Sequence, residues 1–326
     1  MKVQKIEKSK EDLRIVFMGT PDYALETLKA LVENKYNVVA VYSQPDKPKG
    51  RGMQMQMTET KEYAIEKNIP VYQPDRLKNE EALEIYKSLK PDLTIVVAYG
   101  KILPKSFLDV PEYGCINVHG SLLPAYRGAA PIQWSIINGD TKTGITTMFM
   151  DIGMVDNGDM LEVDNINIEE TDTYETLYNK SKVVGAKTML RTLDKYFSGD
   201  LERTVQSEDY TLAPRILKED MRLDFSKTTR ELDCMVRGTN PMPCAHAILI
   251  DENNVEQRFK ILEVVNVEKE STLECGEIYS ADAKEGLIVK TGDGHIQIKV
   301  MQAPNSKKMT AEEYLRGKKI KGRFKC

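Results

Sequence analysis

Tryptophan occurs once in the 326 residues, histidine three times and cysteine five times. The cysteines (Cys115, Cys234, Cys244, Cys275 and Cys326) are odd in number and form no CxxC pair. That argues against a disulfide framework or a thiolate zinc site and fits a reducing cytoplasm. His119, His246 and His295 are too dispersed for an HExxH helix, so no metal is expected. No apolar run approaches the roughly 18–20 residues that cross a bilayer, so no membrane partner is expected either. The N-terminal stretch MKVQKIEKSKEDLR lacks the apolar centre of a secretory signal. Neither GxGxxG nor GxxxxGK[ST] is present, which speaks against nicotinamide and P-loop nucleotide sites.

Charge of one sign is also scarce. The net charge is −4, from 46 basic and 50 acidic residues, so the chain is not a general nucleic-acid binder. The distribution is uneven. Residues 211–326 hold 20 basic against 18 acidic residues, whereas residues 1–210 hold 26 against 32. The last eleven residues contain six basic side chains and no acidic one. Such a patch can meet phosphate even on an acidic protein, although lysine-rich ends are also commonly solvated and frayed.

What is present is an ordinary globular balance, 41% hydrophobic and 29% charged, in a length that allows two or three domains. The first two hundred residues alternate strand and helix signals. Residues 13–18 (LRIVFM), 37–42 (NVVAVY), 93–98 (LTIVVA) and 115–119 (CINVH) read as strands. Helical spacing appears over 23–34, 58–67, 79–89 and 172–198, while 44–48 (QPDKP) reads as a break. This rhythm predicts a mostly parallel sheet covered by helices, with ligands bound beyond the carboxyl ends of its strands. A polar stretch with Pro214 then suggests a linker. Beyond it, alternating runs at 259–265, 286–291 and 294–301 predict antiparallel strands of a small barrel. The chain is thus read as 1–207, with a charged extension at 1–12, a linker at 208–218, and a second domain at 219–326.

Three segments carry chemistry. Gly19-Thr-Pro-Asp22 follows the first strand and reads as a strand-to-helix turn rather than a nucleotide loop. Asn117 and His119 are two apart on a strand, so they share a face at its carboxyl end. An amide there can donate to a developing oxyanion, and an imidazole can move a proton near neutral pH. A strand-end Asn and a satisfied His capping a loop would look the same. Ser121-Leu-Leu-Pro124 has a mixed polar and apolar character that suits a flat heterocycle. Further on, Asp151, Asp156 and Asp159 crowd a Gly-rich loop. One of them could orient a histidine, though such loops are often plain solvated turns.

These residues together carry a resemblance. From about residue 13 to 317 the chain resembles the folate-dependent formyltransferases, and among them the family of methionyl-tRNA formyltransferases. The matching segments are RIVFMGTPD (14–22), QPDKP (44–48) with GRG (50–52), AYGKILP (98–104), GCINVH (114–119), SLLP (121–124), RGAAPIQ (127–133) and GDM (158–160). In the second domain they include APR (213–215), Asn240-Pro241 and GDG (292–294). The resemblance implies a Rossmann-like first domain and an oligonucleotide-binding-type barrel. It implies transfer of a formyl group from 10-formyltetrahydrofolate to the α-amino group of methionine on initiator tRNA. Apart from the resemblance, the chain is expected to be cytoplasmic and to work as a monomer. By the resemblance, Asn117 would hydrogen-bond the formyl oxygen and the tetrahedral oxyanion, and His119 would handle protons. Asp156 would position His119 and an ordered water. Ser121, Leu122, Leu123 and Pro124 would line the folate site. Lys49 and Arg51, with Lys318, Lys319 and Lys321, would meet tRNA.

The chain departs from the family pattern in places. The loop around Asp156 is one residue longer than usual. MQMQM (53–57) replaces lysines, and Met242 and Cys244 replace a tryptophan and a glycine. Two other readings share part of these features. A small-amine formyltransferase would keep Asn117, His119 and Asp156 without the barrel. A non-catalytic tRNA-binding module would need neither Asn117 nor His119.

Overall fold

A computed structural model describes residues 1–49 and 53–326. The chain forms two compact units. The first comprises Met1–Gly128, Thr143–Ile166 and Tyr178–Leu212; the second comprises Ala129–Lys142, Asn167–Leu177 and Ala213–Cys326.

The strands up to residue 167 are β1 (Ile15–Gly19), β2 (Val38–Tyr42), β3 (Lys47–Lys49), β4 (Gln54–Gln56), β5 (Val71–Tyr72), β6 (Leu93–Val97), β7 (Cys115–His119), β8 (Lys142–Phe149) and β9 (Met160–Asn167). Seven of them make one sheet, in the order β5-β2-β1-β6-β7-β8-β9. Pairing is parallel from β5 through β7, and β8 runs antiparallel to β7. β1 (IVFMG) and β6 (LTIVV) are buried at every position. Continuous apolar runs of this kind mark strands covered on both faces of a parallel sheet.

The helices are α1 (Asp22–Glu33), α2 (Glu59–Glu66), α3 (Glu80–Ser88), α4 (Lys105–Leu108), α5 (Pro131–Ile137) and α6 (Tyr174–Ser198). The hydroxyl of Thr58 and the side-chain oxygen of Asn79 accept from backbone N–H groups in the first turns of α2 and α3, satisfying donors a helix leaves free. No helix among the described residues is long and apolar enough to cross a membrane.

Gly19 ends β1, and α1 starts at Asp22, so the GTPD segment is a strand-to-helix turn. A Cβ on Gly19 would lie 2.6 Å from the Ala24 Cβ and 2.9 Å from the Val97 oxygen, so only glycine lets strand, helix and β6 approach this closely. Strand order reverses between β1 and β6, which opens a crevice at their carboxyl ends. One local expectation fails. The break read at 44–48 ends in strand β3, which pairs antiparallel with β4. The Met-Gln alternation of 53–57 has the strand period, but its exposed methionines gave no buried face by which to recognise it.

The second unit contains α7 (Thr229–Gly238), β10 (His246–Ile250), β11 (Glu256–Val267), β12 (Ile278–Asp282), β13 (Gly286–Lys290), β14 (His295–Gln302), β15 (Met309–Thr310), α8 (Ala311–Gly317) and β16 (Arg323–Phe324). Its sheet runs β12-β13-β14-β11-β10-β16, with β15 on β14. Register shifts near Glu263 bend the twelve-residue β11, as bulges do. The sheet curls until its edges meet: Glu277 bridges Arg323, and the Phe324 N–H donates to the Gly276 oxygen at 2.8 Å. Gly276 has φ +83°, and a Cβ there would sit 2.2 Å from the Phe324 oxygen, so the seam requires glycine. Phe225, Phe259, Ile261, Val289, Ile298 and Phe324 fill the barrel. The architecture is therefore a Rossmann-like, mostly parallel sheet followed by a C-terminal β-barrel.

Candidate active site

β7 delivers Asn117 and His119 to one face at its carboxyl end, where β8 holds them through the pairs Asn117–Met148 and His119–Thr146. After β8 the chain leaves the sheet and returns at Gly158. A Cβ on Gly158 would lie 1.7 Å from the Phe149 oxygen, so the return passes directly against the strand end. The turn between carries Asp156 in the left-handed region, φ +57°.

That turn puts the Asp156 carboxylate between the two strand residues. The Asn117 amide donates to Asp156 Oδ1 at 3.5 Å, and Asp156 Oδ2 lies 3.5 Å from His119 Nδ1. Oδ2 also accepts from the Gly128 N–H at 3.0 Å. His119 Nε2 lies 2.9 Å from the Tyr126 carbonyl oxygen. A carbonyl only accepts, so Nε2 carries hydrogen and Nδ1 is the nitrogen left to exchange a proton on the Asp156 side. His119 is buried and Asn117 is half-buried. The other two carboxylates of the loop lie elsewhere. Asp151 is exposed and accepts from its neighbour Ile152 N, and Asp159 faces Arg203 at 3.5 Å.

Ser121 and Leu123 are buried, while Leu122 and Pro124 are half-buried. The Ser121 hydroxyl donates to the Ala125 oxygen at 2.6 Å and so points into its own turn. Thr146 ties the same turn to β8, accepting from Leu123 N and donating to the Ser121 oxygen.

Two groups escaped the reading from sequence. The first is a buried polar pair, Gln206 and Arg127, behind the Asp156 turn. Gln206 Nε2 donates to the Asp156 and Gly158 carbonyls at 2.8 and 2.7 Å. Arg127 was visible only as part of a motif, and Gln206 lies in a polar stretch with no periodic signal. The second is a cationic row on the barrel. Arg222 bridges His246, which pairs with Lys260, and exposed Arg258 donates to His246 Nδ1 at 3.0 Å. Burial, then Arg258 and Arg222, press the His246 pKa down to about 4.

The basic residues expected to meet tRNA are placed as follows. Arg51 lies outside the described residues, and Lys49 ends β3. Lys318, Lys319 and Lys321 are exposed just beyond α8. Lys321 pairs with Glu252 at 3.2 Å, and the Lys318 ammonium lies 5.8 Å from the Tyr314 ring centroid.

A Rossmann-like sheet with an amide, an imidazole and a carboxylate gathered at a strand end, followed by a barrel, is the architecture of a group transferase. Residues 13–193 match the family model for formyl transferase, and residues 215–319 match that for the formyl transferase C-terminal domain. The methionyl-tRNA formyltransferase of Clostridioides difficile (strain 630) is 45% identical over 94% of this chain and 98% of its own. That of Sulfurihydrogenibium sp. (strain YO3AOP1) is 44% identical over 95% and 98%. The chain belongs to the methionyl-tRNA formyltransferase family. In fold it is similar to solved structures that include the following two, each 18% identical to it. HypX from Aquifex aeolicus, in complex with tetrahydrofolic acid, has a TM-score of 0.62 and covers 93% of this chain and 46% of its own. WlaRD, a sugar 3N-formyl transferase, has a TM-score of 0.62 over 90% of this chain and 99% of its own.

Proposed function

We propose that this enzyme transfers the formyl group of 10-formyltetrahydrofolate to the α-amino group of methionine on initiator methionyl-tRNA. The observation that carries the reading is the shared carboxylate: Asp156 touches Asn117 with one oxygen and His119 with the other, at the end of β7.

The amine attacks the formyl carbon, a new C–N bond forms, and the carbonyl becomes an oxyanion. The Asn117 amide, held only at 3.5 Å by Asp156, turns its N–H toward that oxygen. The attacking nitrogen is now an ammonium. His119 takes its proton at Nδ1, beside Asp156, and returns one to N10 of the folate as the C–N10 bond breaks. The Tyr126 carbonyl sets the tautomer by accepting from Nε2, while Asp156 faces Nδ1, orients the ring for the proton it receives there and positions a water. Ser121, Leu122, Leu123 and Pro124 line the folate site, with the Ser121 hydroxyl donating to the Ala125 oxygen within that turn.

Residues 1–207 carry the chemistry, 208–218 connect, and 219–326 face the tRNA. Lys318, Lys319 and Lys321, with Lys49 and Arg51, supply phosphate contacts. The enzyme works as a cytoplasmic monomer, a reading supported by five free thiols and by a catalytic trio drawn from one unit of one chain. The test is mass spectrometry of methionyl-tRNA incubated with enzyme and 10-formyltetrahydrofolate. A gain of one formyl group on the methionyl nitrogen is expected. Formylation of a free aminosugar nucleotide without modification of methionyl-tRNA would refute the reading.

A further inference from the structure

Asp156 is a single residue on a turn, in a backbone conformation that L-residues seldom adopt. Its carboxylate must nevertheless stay within reach of Asn117 and His119 at once. Its own side-chain contacts are long, apart from the one to Gly128 N. Something else must hold the turn.

Behind it stands Gln206, which is almost fully buried. Its amide nitrogen uses both hydrogens on the turn, one to the Asp156 carbonyl at 2.8 Å and one to the Gly158 carbonyl at 2.7 Å. Its amide oxygen accepts from Arg127 Nε at 2.9 Å. That bond settles the orientation of the amide, because a guanidinium only donates. Arg127 is fixed in turn. Its guanidinium carbon lies 4.4 Å from the centroid of the Tyr210 ring, and its backbone N–H donates to the Thr211 oxygen at 2.9 Å. Arg127 also sits between Tyr126, whose carbonyl takes the His119 hydrogen, and Gly128, whose N–H holds the Asp156 carboxylate. One buried pair therefore fixes the backbone on both sides of the His119–Asp156 contact.

We infer that Gln206, oriented by Arg127, is a positioning residue for the reaction: it sets the location of the Asp156 carboxylate relative to His119 and Asn117. The inference rests on the proposed roles of those three residues. A site misplaced by about 1 Å can lose on the order of 10²-fold in rate, so the turn's placement matters although Gln206 touches no reacting atom.

Gln206→Glu separates positioning from folding. The carboxylate still accepts from Arg127, so the buried guanidinium keeps its partner. It cannot donate to either carbonyl, and its oxygens repel them. Formylation of methionyl-tRNA is measured with full-length wild type, Gln206→Glu, Asp156→Ala and the double variant. The single Gln206 variant is expected to lose about 10–100-fold in kcat with little change in KM for methionyl-tRNA. In the Asp156→Ala background the same change should cost less than about twofold, because the group it positions is gone. Gln206→Met, of similar volume and without donors, is the second variant should Gln206→Glu fold poorly by circular dichroism. Near wild-type kcat in the folded single variant, or an equal loss in the Asp156→Ala background, would overturn the positioning role alone. A wild-type enzyme that leaves methionyl-tRNA unmodified would instead overturn the functional reading beneath it.

Discussion

Replacing Asp156 by Asn tests the active-site geometry most directly. Asn keeps the size of the side chain and one oxygen that can accept from Gly128 N, now at 3.0 Å from Oδ2. The fold should therefore lose no more than a hydrogen bond to a charged group, about 1.5–3 kcal/mol at most. The chemistry loses more. The new amide has one acceptor where the carboxylate met both Asn117 and His119, and it offers no negative charge to a protonated imidazole. Loss of general acid–base function typically costs about 10²–10⁴ in rate, and kcat should fall within that range. Single-turnover formylation of methionyl-tRNA reads the chemical step, and thermal unfolding reads the fold. Asp151→Ala and Asp159→Ala are the controls: the first removes an exposed carboxylate bonded to its neighbour, the second a 3.5 Å surface pair with Arg203. Both should keep most activity. An inactive Asp151→Ala beside an active Asp156→Asn would mean that the longer loop presents a different carboxylate to His119, and the role given to Asp156 would be wrong.

Other outcomes are expected from the same structure. Gly158→Ala, with a Cβ 1.7 Å from the Phe149 oxygen, must displace the turn; it should cost about 2–4 kcal/mol in denaturant unfolding and most of the activity. Replacing Lys318, Lys319 and Lys321 together by Ala should weaken tRNA binding and flatten its log–log salt dependence by about 0.7–1 for each phosphate these lysines neutralise. Lys321 should contribute least, because Glu252 already holds it, and an unchanged slope would assign all three to solvent. His246 has a folded pKa near 4 against an ordinary 6.5, so the unfolded chain binds its proton first. The stability that comes from keeping it neutral is complete above pH 6.5 and is lost as pH falls toward 4. His246→Gln should remove that part of the acid-side drop in melting temperature; identical profiles would show that the imidazole titrates normally.

Much of this architecture was legible in the order of residues alone. Apolar runs of four or five residues within 13–18, 37–42 and 93–98 are what buried parallel strands require, and each marks one, with bounds shifted by a residue or two, while CINVH at 115–119 is β7 itself. The long helix read at 172–198 and the barrel strands β11, β13 and β14 declared themselves by period. Period two also put Asn117 and His119 on one face, because that spacing is a property of the backbone and needs no partner. The pairing of β3 with β4 was hidden, since β4 is exposed at every position and only its partner reveals it as a strand. Spacing did not single out the partner of His119, which the family resemblance alone named. Sequence spacing alone offered three carboxylates, and which one reaches the imidazole depends on where Gly158 lets the chain return against Phe149. Gln206 and Arg127 were beyond reach for the same reason. They lie 50 and 29 positions from Asp156 along the chain, and only folding turns two polar side chains into a buried clamp behind one turn. Local chemistry and periodicity act over a few residues and can be read in order along the chain; long-range contacts are chosen by the packing of the whole unit, and only the tertiary structure decides them.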